Sequence, residues 1–347
     1  MKQISTKAAL IICAMGLSIH GYAGNKDRSG QAGAAELMIN PWGQSTGVFG
    51  LNTANVKGID ALKTNIAGLA LSNKTEIAAS HTMLLRSAKV AVNNLGFAQK
   101  LGNSGVLGVN IMAMTFGEIP ITEYNNPETT LGTYTPQFFN FTLGYAKSFS
   151  RSIQAGVAAT FVSQQISNVK ASGAAFEAGI QYVTGKRDNF HFGITLRNIG
   201  TNMRFNGNGF SINSEAPENE SYTMNMQTPS EKFELPTYLN FGIAYDFYLD
   251  ENKVAQATGE EQATEAPKPK HRLTGMANFT SNSFNNDYLG IAAEYAFREM
   301  FMLRAGYRYE KGIGGDQPTT MYTGVSAGAT VATRIGEKGP MLAVDYS

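Results

Sequence analysis

The sequence predicts an all-β protein, a transmembrane antiparallel β-barrel of about fourteen strands with an N-terminal segment plugging its lumen. Three observations carry this. Apolar and polar residues alternate along many segments of about ten residues. Those segments reach the length a strand needs to cross a bilayer at a tilt, and aromatics gather at the ends of their apolar faces. A stretch rich in Ala, Asn and Gly stands before them and carries apolar residues that no strand period explains.

The chain opens with two lysines in residues 1–7, an apolar run over 8–19, and the small residues of Gly21-Tyr22-Ala23. This is the layout of a secretory signal cut near Ala23. The apolar run is interrupted by Ser18 and His20, too early for a membrane helix.

Residues 24–75 are expected to form the plug or hatch. Trp42, Phe49, Leu51, Ile59, Leu62, Ile66 and Leu69 want burial, which a loose tail would not give them. The strands that follow put Gly108, Gly144, Gly156, Gly179, Gly193, Gly242, Gly306 and Gly328 on the lumen side. A barrel wider than eight strands cannot fill itself with wall side chains, and small ones least of all, so the plug is expected to fill it.

The barrel is expected over 76–347, with strands at 76–85, 88–100, 105–116, 137–149, 152–165, 174–184, 189–199, 237–248, 271–280, 288–298, 300–311, 320–333 and 341–347. In "MFMLRAGYRYE" the residues Phe301, Leu303, Tyr307 and Tyr309 share one face, opposite Arg304, Arg308 and Glu310. Leu239, Phe241, Ile243, Tyr245 and Phe247 likewise oppose Asn240 and Asp246, while Phe190, Phe192, Ile194 and Leu196 oppose His191, Thr195 and Arg197. A soluble sandwich strand alternates too. Strand length and aromatic placement favour the barrel, which satisfies its backbone by pairing between strands.

Short turns at "GNSG", "FSRS", "GKRDN", "FREM" and "GEKGP" follow even-numbered strands, and most connections after odd strands are longer. Barrels of this kind keep short turns in the periplasm, which places the N-terminus there. The exception is 249–271, acidic and then Pro/Lys-rich, which reads as a disordered insert. Thirteen crossings are odd, whereas single-chain bacterial barrels are even. A seam is therefore expected between the strand at 76–85 and that at 341–347, with a fourteenth strand encoded beyond Ser347.

Composition excludes several classes. A formal net charge of +1 gives no basic signature for nucleic acid. The only cysteine, Cys13, lies in the signal, so the expected mature chain has no disulfide, Cys-based metal site or cysteine nucleophile. "GQSTGVFG" lacks the Lys-Ser/Thr of a phosphate loop, and "DENK" and "GGDQ" offer too few oxygens for calcium. No cofactor is expected. Catalysis by a Ser/His/acid set has only His81, His191 and His271 to draw on, none tied by sequence to a serine and an acid.

The block "ELMINPWGQSTGVFGLNTANVKGIDALKTNIAGLALS", with "GVLGVNIMAM", "ASGAAFEAGIQYVTG" and "SNSFNNDYLGIAAEYAFREMFMLRAGY", resembles the PorV/PorQ-type outer-membrane barrels of Bacteroidetes, themselves similar to FadL-like barrels with an N-terminal hatch. Asn65-Ile66-Ala67-Gly68 stands where FadL-like hatches commonly read Asn-Pro-Ala-Gly. The resemblance implies a place in the outer membrane and a non-catalytic part in type IX protein secretion. Its partners would be the bilayer, the translocon barrel and the C-terminal domains of secreted cargo. Ile119, Pro120, Ile121, Tyr124, Phe205, Phe210 and Ile212, apolar residues in outward loops, are the candidate contacts. The alternative implied is a FadL-like channel for hydrophobic small molecules. A hydrolase, to which PorV relatives have been linked, is a further reading.

Overall fold

Alternating residues make a two-faced strand, and two-faced strands in sequence make a sheet that closes around one face. In a computed structural model the structure describes residues 26–215, 223–228, 230–249, 270–313, 323–336 and 339–347. The expected signal and nearly all of the 249–271 insert lie outside the described residues.

The barrel strands are β1 (Thr75–Leu85), β2 (Val90–Lys100), β3 (Val106–Thr115), β4 (Gln137–Ser148), β5 (Ile153–Ile166), β6 (Val169–Thr184), β7 (Phe190–Gly200), β8 (Tyr238–Tyr248), β9 (His271–Asn282), β10 (Tyr288–Phe297), β11 (Phe301–Glu310), β12 (Val325–Arg334) and β13 (Met341–Tyr346). They pair antiparallel in chain order, and a short strand at Asn206–Gly207 joins the same sheet by folding back onto β6. β1 is laddered to β2 alone and β13 to β12 alone, so among the described residues the sheet keeps two free edges. The seam anticipated from the odd count lies there.

One correction concerns β6, which begins at Val169 rather than at 174. Ser167, at φ 53°, and Asn168 make a two-residue turn, and Ile166 pairs directly with Val169, so the ladder starts at the turn itself. Position 320, where the twelfth strand was expected to begin, lies outside the described residues, as do 314–322 as a whole.

The two faces of the wall are chemically opposite. Outward-facing Ile77, Leu95, Leu143, Val157, Ile180, Ile291, Leu303 and Val344 are exposed, with Tyr145, Tyr182, Tyr295 and Tyr309 among them. An apolar face this extensive belongs against lipid, and the polar groups are turned inward: Thr142, Thr160, Glu177, His191, Arg197, Asn240 and Arg304 are all buried. The barrel lies in the bacterial outer membrane.

Residues 33–71 pass through the lumen in short helical turns at Ala35–Met38, Gly43–Thr46, Gly58–Lys63 and Ile66–Leu71. Every lumen glycine singled out from sequence lies against this segment. A Cβ on Gly108 would meet Leu69 at 2.9 Å, on Gly144 Ile66 and Leu62 at 2.7 Å, and on Gly156 the Ile66 carbonyl at 2.9 Å. On Gly179 it would meet Asn65 at 2.0 Å, on Gly193 the Thr53 carbonyl at 2.4 Å, and on Gly242 the Ala54 amide at 3.0 Å. Gly306 faces Val48 at 3.1 Å and Gly328 faces Gly47 at 2.9 Å. The glycines are also paired across strands, Gly108 with Gly144, Gly156 with Gly179 and Gly193 with Gly242, so they form flat places where the inner segment's backbone seats.

The buried residues of that segment divide into clusters. Trp42, Val56, Ile59, Leu62, Ile66 and Leu69 pack with Ala98, Val106, Ala146 and Ala158 of the wall. Val48 and Leu51, with Phe49 partly buried beside them, pack with Ala244, Met276 and Ala292. Ala34 and Leu37 form a third cluster with Val162, Met203 and Leu235, so packing already begins in the first part of the 24–75 segment.

Overpacking at such a seat costs about 1–3 kcal/mol. Gly193→Val should therefore loosen the inner segment, shifting the emission of Trp42, the sole tryptophan, to the red and raising its quenching by acrylamide in detergent micelles. Gly275→Val, on the outward face with nothing within 4 Å, should leave both unchanged.

Candidate functional site

Asn65 holds the inner segment to the wall. Its Oδ1 accepts from the Ala67 amide at 3.2 Å, capping the Ile66–Leu71 turn, while its Nδ2 donates to the Thr53 carbonyl at 2.9 Å and the Ile180 carbonyl of β6 at 3.2 Å. Gly68 is required by the same turn, since a Cβ there would lie 2.1 Å from the Val56 carbonyl. Asn65 and Gly68, the ends of the Asn-Ile-Ala-Gly run, therefore each make a distinct contact. At the start of β1, Glu76 accepts from the amides of Asn73 at 2.7 Å and Ile59 at 3.2 Å.

Titratable groups are buried inside this segment. Ser45 Oγ donates to Asp60 at 2.8 Å, takes a bond from Asn52 at 3.0 Å and lies 3.1 Å from Thr64, which Asn40 reaches at 2.9 Å. Burial pushes the Asp60 carboxyl up to about 7, against the opposing bond from Ser45. Burial likewise pushes Lys63 down to about 8, with Arg197 adding to the shift. Glu36 is raised by burial although Gln164 donates to it at 2.8 Å.

The wall supplies ionic groups of its own. Arg197 of β7 grips Glu177 of β6 with two parallel bonds of 2.8 and 2.9 Å and donates to the Tyr238 hydroxyl at 3.1 Å and to the Lys63 carbonyl. On the adjoining strands, nearer the short-turn end, register sets Asp246, Thr274, Glu294 and Arg304 side by side on β8 to β11. His191 lies 3.0 Å from Asp246, Arg272 lies 2.8 Å from Glu294 and 2.7 Å from Glu299, and Arg304 is paired with Glu294. The alternation had placed Asp246 and Arg304 on the lumen face. Their joining into one row needed the register.

Two cavities lie at opposite ends of the barrel among the described residues. One, of about 430 Å³, lies at the short-turn end between this ionic row and Gln44, Val48, Asn52, Asn55 and Lys57. The other, of about 470 Å³, is an open groove at the long-loop mouth, lined by Pro120, Ile121, Tyr134, Ile166, Val169 and Phe210 among others. A small hairpin of Ile119–Ile121 with Gly132–Tyr134 forms one side of it.

Of the seven loop candidates, Pro120, Ile121 and Phe210 thus come together in the groove. Phe205 instead packs on Phe233, ring centroids 5.7 Å apart, at the edge of the third lumen cluster. Ile119 and Ile212 are exposed on separate hairpins, and Tyr124 is fully exposed. Tyr134, Ile166 and Val169 were missed: the last two sit at the turn between β5 and β6, whose early start sequence did not show.

The three histidines among the described residues stand apart. His81 meets Asn93 at 2.8 Å on the outward face of β1 and β2, His271 meets the Tyr295 hydroxyl at 2.7 Å, and His191 meets Asp246 in the short-turn cavity.

The buried charges give the inner segment a pH signature. A carboxyl with its folded pKa above the unfolded value keeps a proton that the unfolded chain has released, so docking weakens as pH rises from 3.8 to about 7. An amine with a lowered pKa gives the opposite slope, and docking strengthens from about 8 to 10.5. Docking should be weakest between pH 7 and 8. Asp60→Asn should flatten most of the acid limb, an effect of up to about 4 kcal/mol over three pH units, with Glu36 leaving a residue. Denaturant titration followed at Trp42 measures this.

Among solved structures, the chain is similar to the CymD monoaromatic hydrocarbon channel, at 11% identity over 89% of this chain and 93% of that one, with a TM-score of 0.50. It is also similar to the Pseudomonas putida toluene transporter TodX (11% identity, 85% and 88% covered, TM-score 0.47) and to a Pseudomonas aeruginosa FadL homologue (12%, 87% and 88%, TM-score 0.46). No protein-family model matches the sequence and no curated protein matches it. The likeness is one of fold: the chain is an outer-membrane β-barrel with a filled lumen, of the kind seen in the CymD channel.

Proposed function

We propose that the chain passes small hydrophobic molecules across the outer membrane, the groove at its long-loop mouth taking them up and its inner segment acting as a plug between passages. The groove carries this reading: a shallow surface of about 470 Å³ facing the medium, where Pro120, Ile121, Tyr134, Ile166, Val169 and Phe210 offer apolar contact beside the polar Thr122, Ser167 and Asn168, and of a volume within the usual range for small-ligand sites. The fold is shared with a protein described as a monoaromatic hydrocarbon channel, which supports a cargo of that kind. No step requires catalysis; the residues bind and yield. Passage requires the plug to shift, which would release the bonds that Arg197, Gln164, Gln181 and Asn278 of the wall make to it. The short-turn end is read as periplasmic.

The second reading is docking in type IX secretion, with the translocon barrel and cargo C-terminal domains as partners. It is favoured by the resemblance of residues 36–72 and by Tyr124, Ile119 and Ile212, exposed apolar residues on outward hairpins that no fold contact explains.

Cells deprived of their own hydrocarbon channels and expressing the chain should take up labelled toluene several-fold faster than cells with empty vector. Ile121→Asp and Phe210→Asp should remove most of that gain at equal protein level. Uptake equal to empty vector would overturn the passage reading. Recovery of a larger barrel with the protein from its own outer membrane, lost on Tyr124→Asp, would then establish the other.

A further inference from the structure

The inner segment has a direction. It leaves the barrel at the short-turn end, where the Lys100 amide donates to the Lys74 carbonyl at 2.9 Å and Thr75 pairs with Gln99, beside the turn that joins β2 to β3. Residues 28–33 lie at the opposite end, against the long connection from β7 to β8 and the turn from β9 to β10. Ala32 bridges to Glu234, the Gly33 amide donates to the Glu234 carbonyl at 2.9 Å, and Ser29 Oγ donates to Asn285 at 3.3 Å. The alternation of turn lengths had placed the N-terminus at the short-turn end. What starts there is β1, and the chain ahead of it has already run the height of the barrel.

Arg28 ties down the upper end of this run. Its guanidinium pairs with the Glu234 carboxylate, lies 4.3 Å from the centre of the Phe284 ring and reaches Gln31 through Nε at 3.3 Å. Glu234 thus holds the segment twice, by its side chain at Arg28 and by its backbone at Gly33. The ion pair is open to water, its side chains 33% and 49% exposed, and such pairs grip weakly. Just inside it, Ala34 and Leu37 are buried with Met203 and with Leu235, the neighbour of Glu234. A weak outer tie set beside a packed inner one can part and re-form while the strands of the wall stay paired.

We infer that residues 28–33 are a latch on the long-loop mouth, holding the outer end of the inner segment through Arg28 and Glu234. In the orientation that keeps short turns in the periplasm, the latch faces the medium. The inference rests on the inner segment acting as the plug, and its test uses no passage of cargo, so the two can fail separately.

Single cysteines are placed at Ser29 and at Lys74, which is exposed at the short-turn end, and intact cells are treated with a membrane-impermeant maleimide, the parent chain serving as blank. Ser29→Cys should react, and Lys74→Cys should react only after the outer membrane is opened. Leu37→Cys then reports on the buried outer end of the segment. In that background Arg28→Glu or Glu234→Arg should quicken labelling about two- to fivefold, and the two together should restore most of the original rate. Rescue by the reversed pair separates a lost grip from misfolding. Protection of Ser29→Cys, or reaction of Lys74→Cys in intact cells, would overturn the placement of the latch. Unchanged labelling of Leu37→Cys in both single reversals, or no rescue by the pair, would overturn its grip.

Discussion

The structure depends on the close approach of one backbone to another inside the barrel. A wall of thirteen strands encloses more space than its own side chains fill, and this chain lines that space with glycine where an inner segment passes. Without a Cβ at Gly193 the wall comes within contact of the Thr53 carbonyl; without one at Gly179 it admits the Asn65 amide. Dense packing is then completed by wall side chains between the seats, such as Val106, Val162 and Met276, and by Gln181 and Asn278, which bond to the segment at Thr53.

The electrostatic layout follows from the same arrangement. The outer face meets lipid and is apolar, so the chain's strand charges are turned inward and must find partners there. They do so in the pair of Arg308 with Glu310, in Glu177 with Arg197 beside the Lys63 carbonyl, and in the row from His191 through Asp246, Arg272, Glu294 and Arg304. The inner segment carries its own buried acid and base, Asp60 and Lys63, each shifted toward neutrality by burial. Burial thus makes each of them carry its charge less readily than it would in water.

Much of this was legible in the sequence for a definite reason. A period of two assigns each strand residue to a face, and the lipid face of Phe301, Leu303 and Tyr307 against the lumen face of Arg304 needed nothing more. The eight lumen glycines could be placed for the same reason, and the apolar residues from Trp42 to Leu69 marked a segment seeking burial. Register was not legible. It alone decides that Glu294 stands beside Arg304 and that Asp246 stands beside Thr274. The start of β6 was hidden because Val169-Lys-Ala-Ser-Gly is weakly alternating and its tight turn lacks the usual Asn-Gly, which concealed half of the outer groove. The role of Glu76 as acceptor for the Ile59 amide rests on a contact that no local pattern announces.

The central claim, that the inner segment seats against the glycine wall, is tested most directly by trapping it there. A Cβ on Gly179 would lie 3.1 Å from Asn65 Cγ, within reach of disulfide geometry, and Cys13 is the only native cysteine in the sequence. The double variant Asn65→Cys with Gly179→Cys, isolated from outer membranes under mild oxidation, should carry one disulfide and no thiol reactive to maleimide. Two free, labelled thiols in a folded barrel would contradict the account.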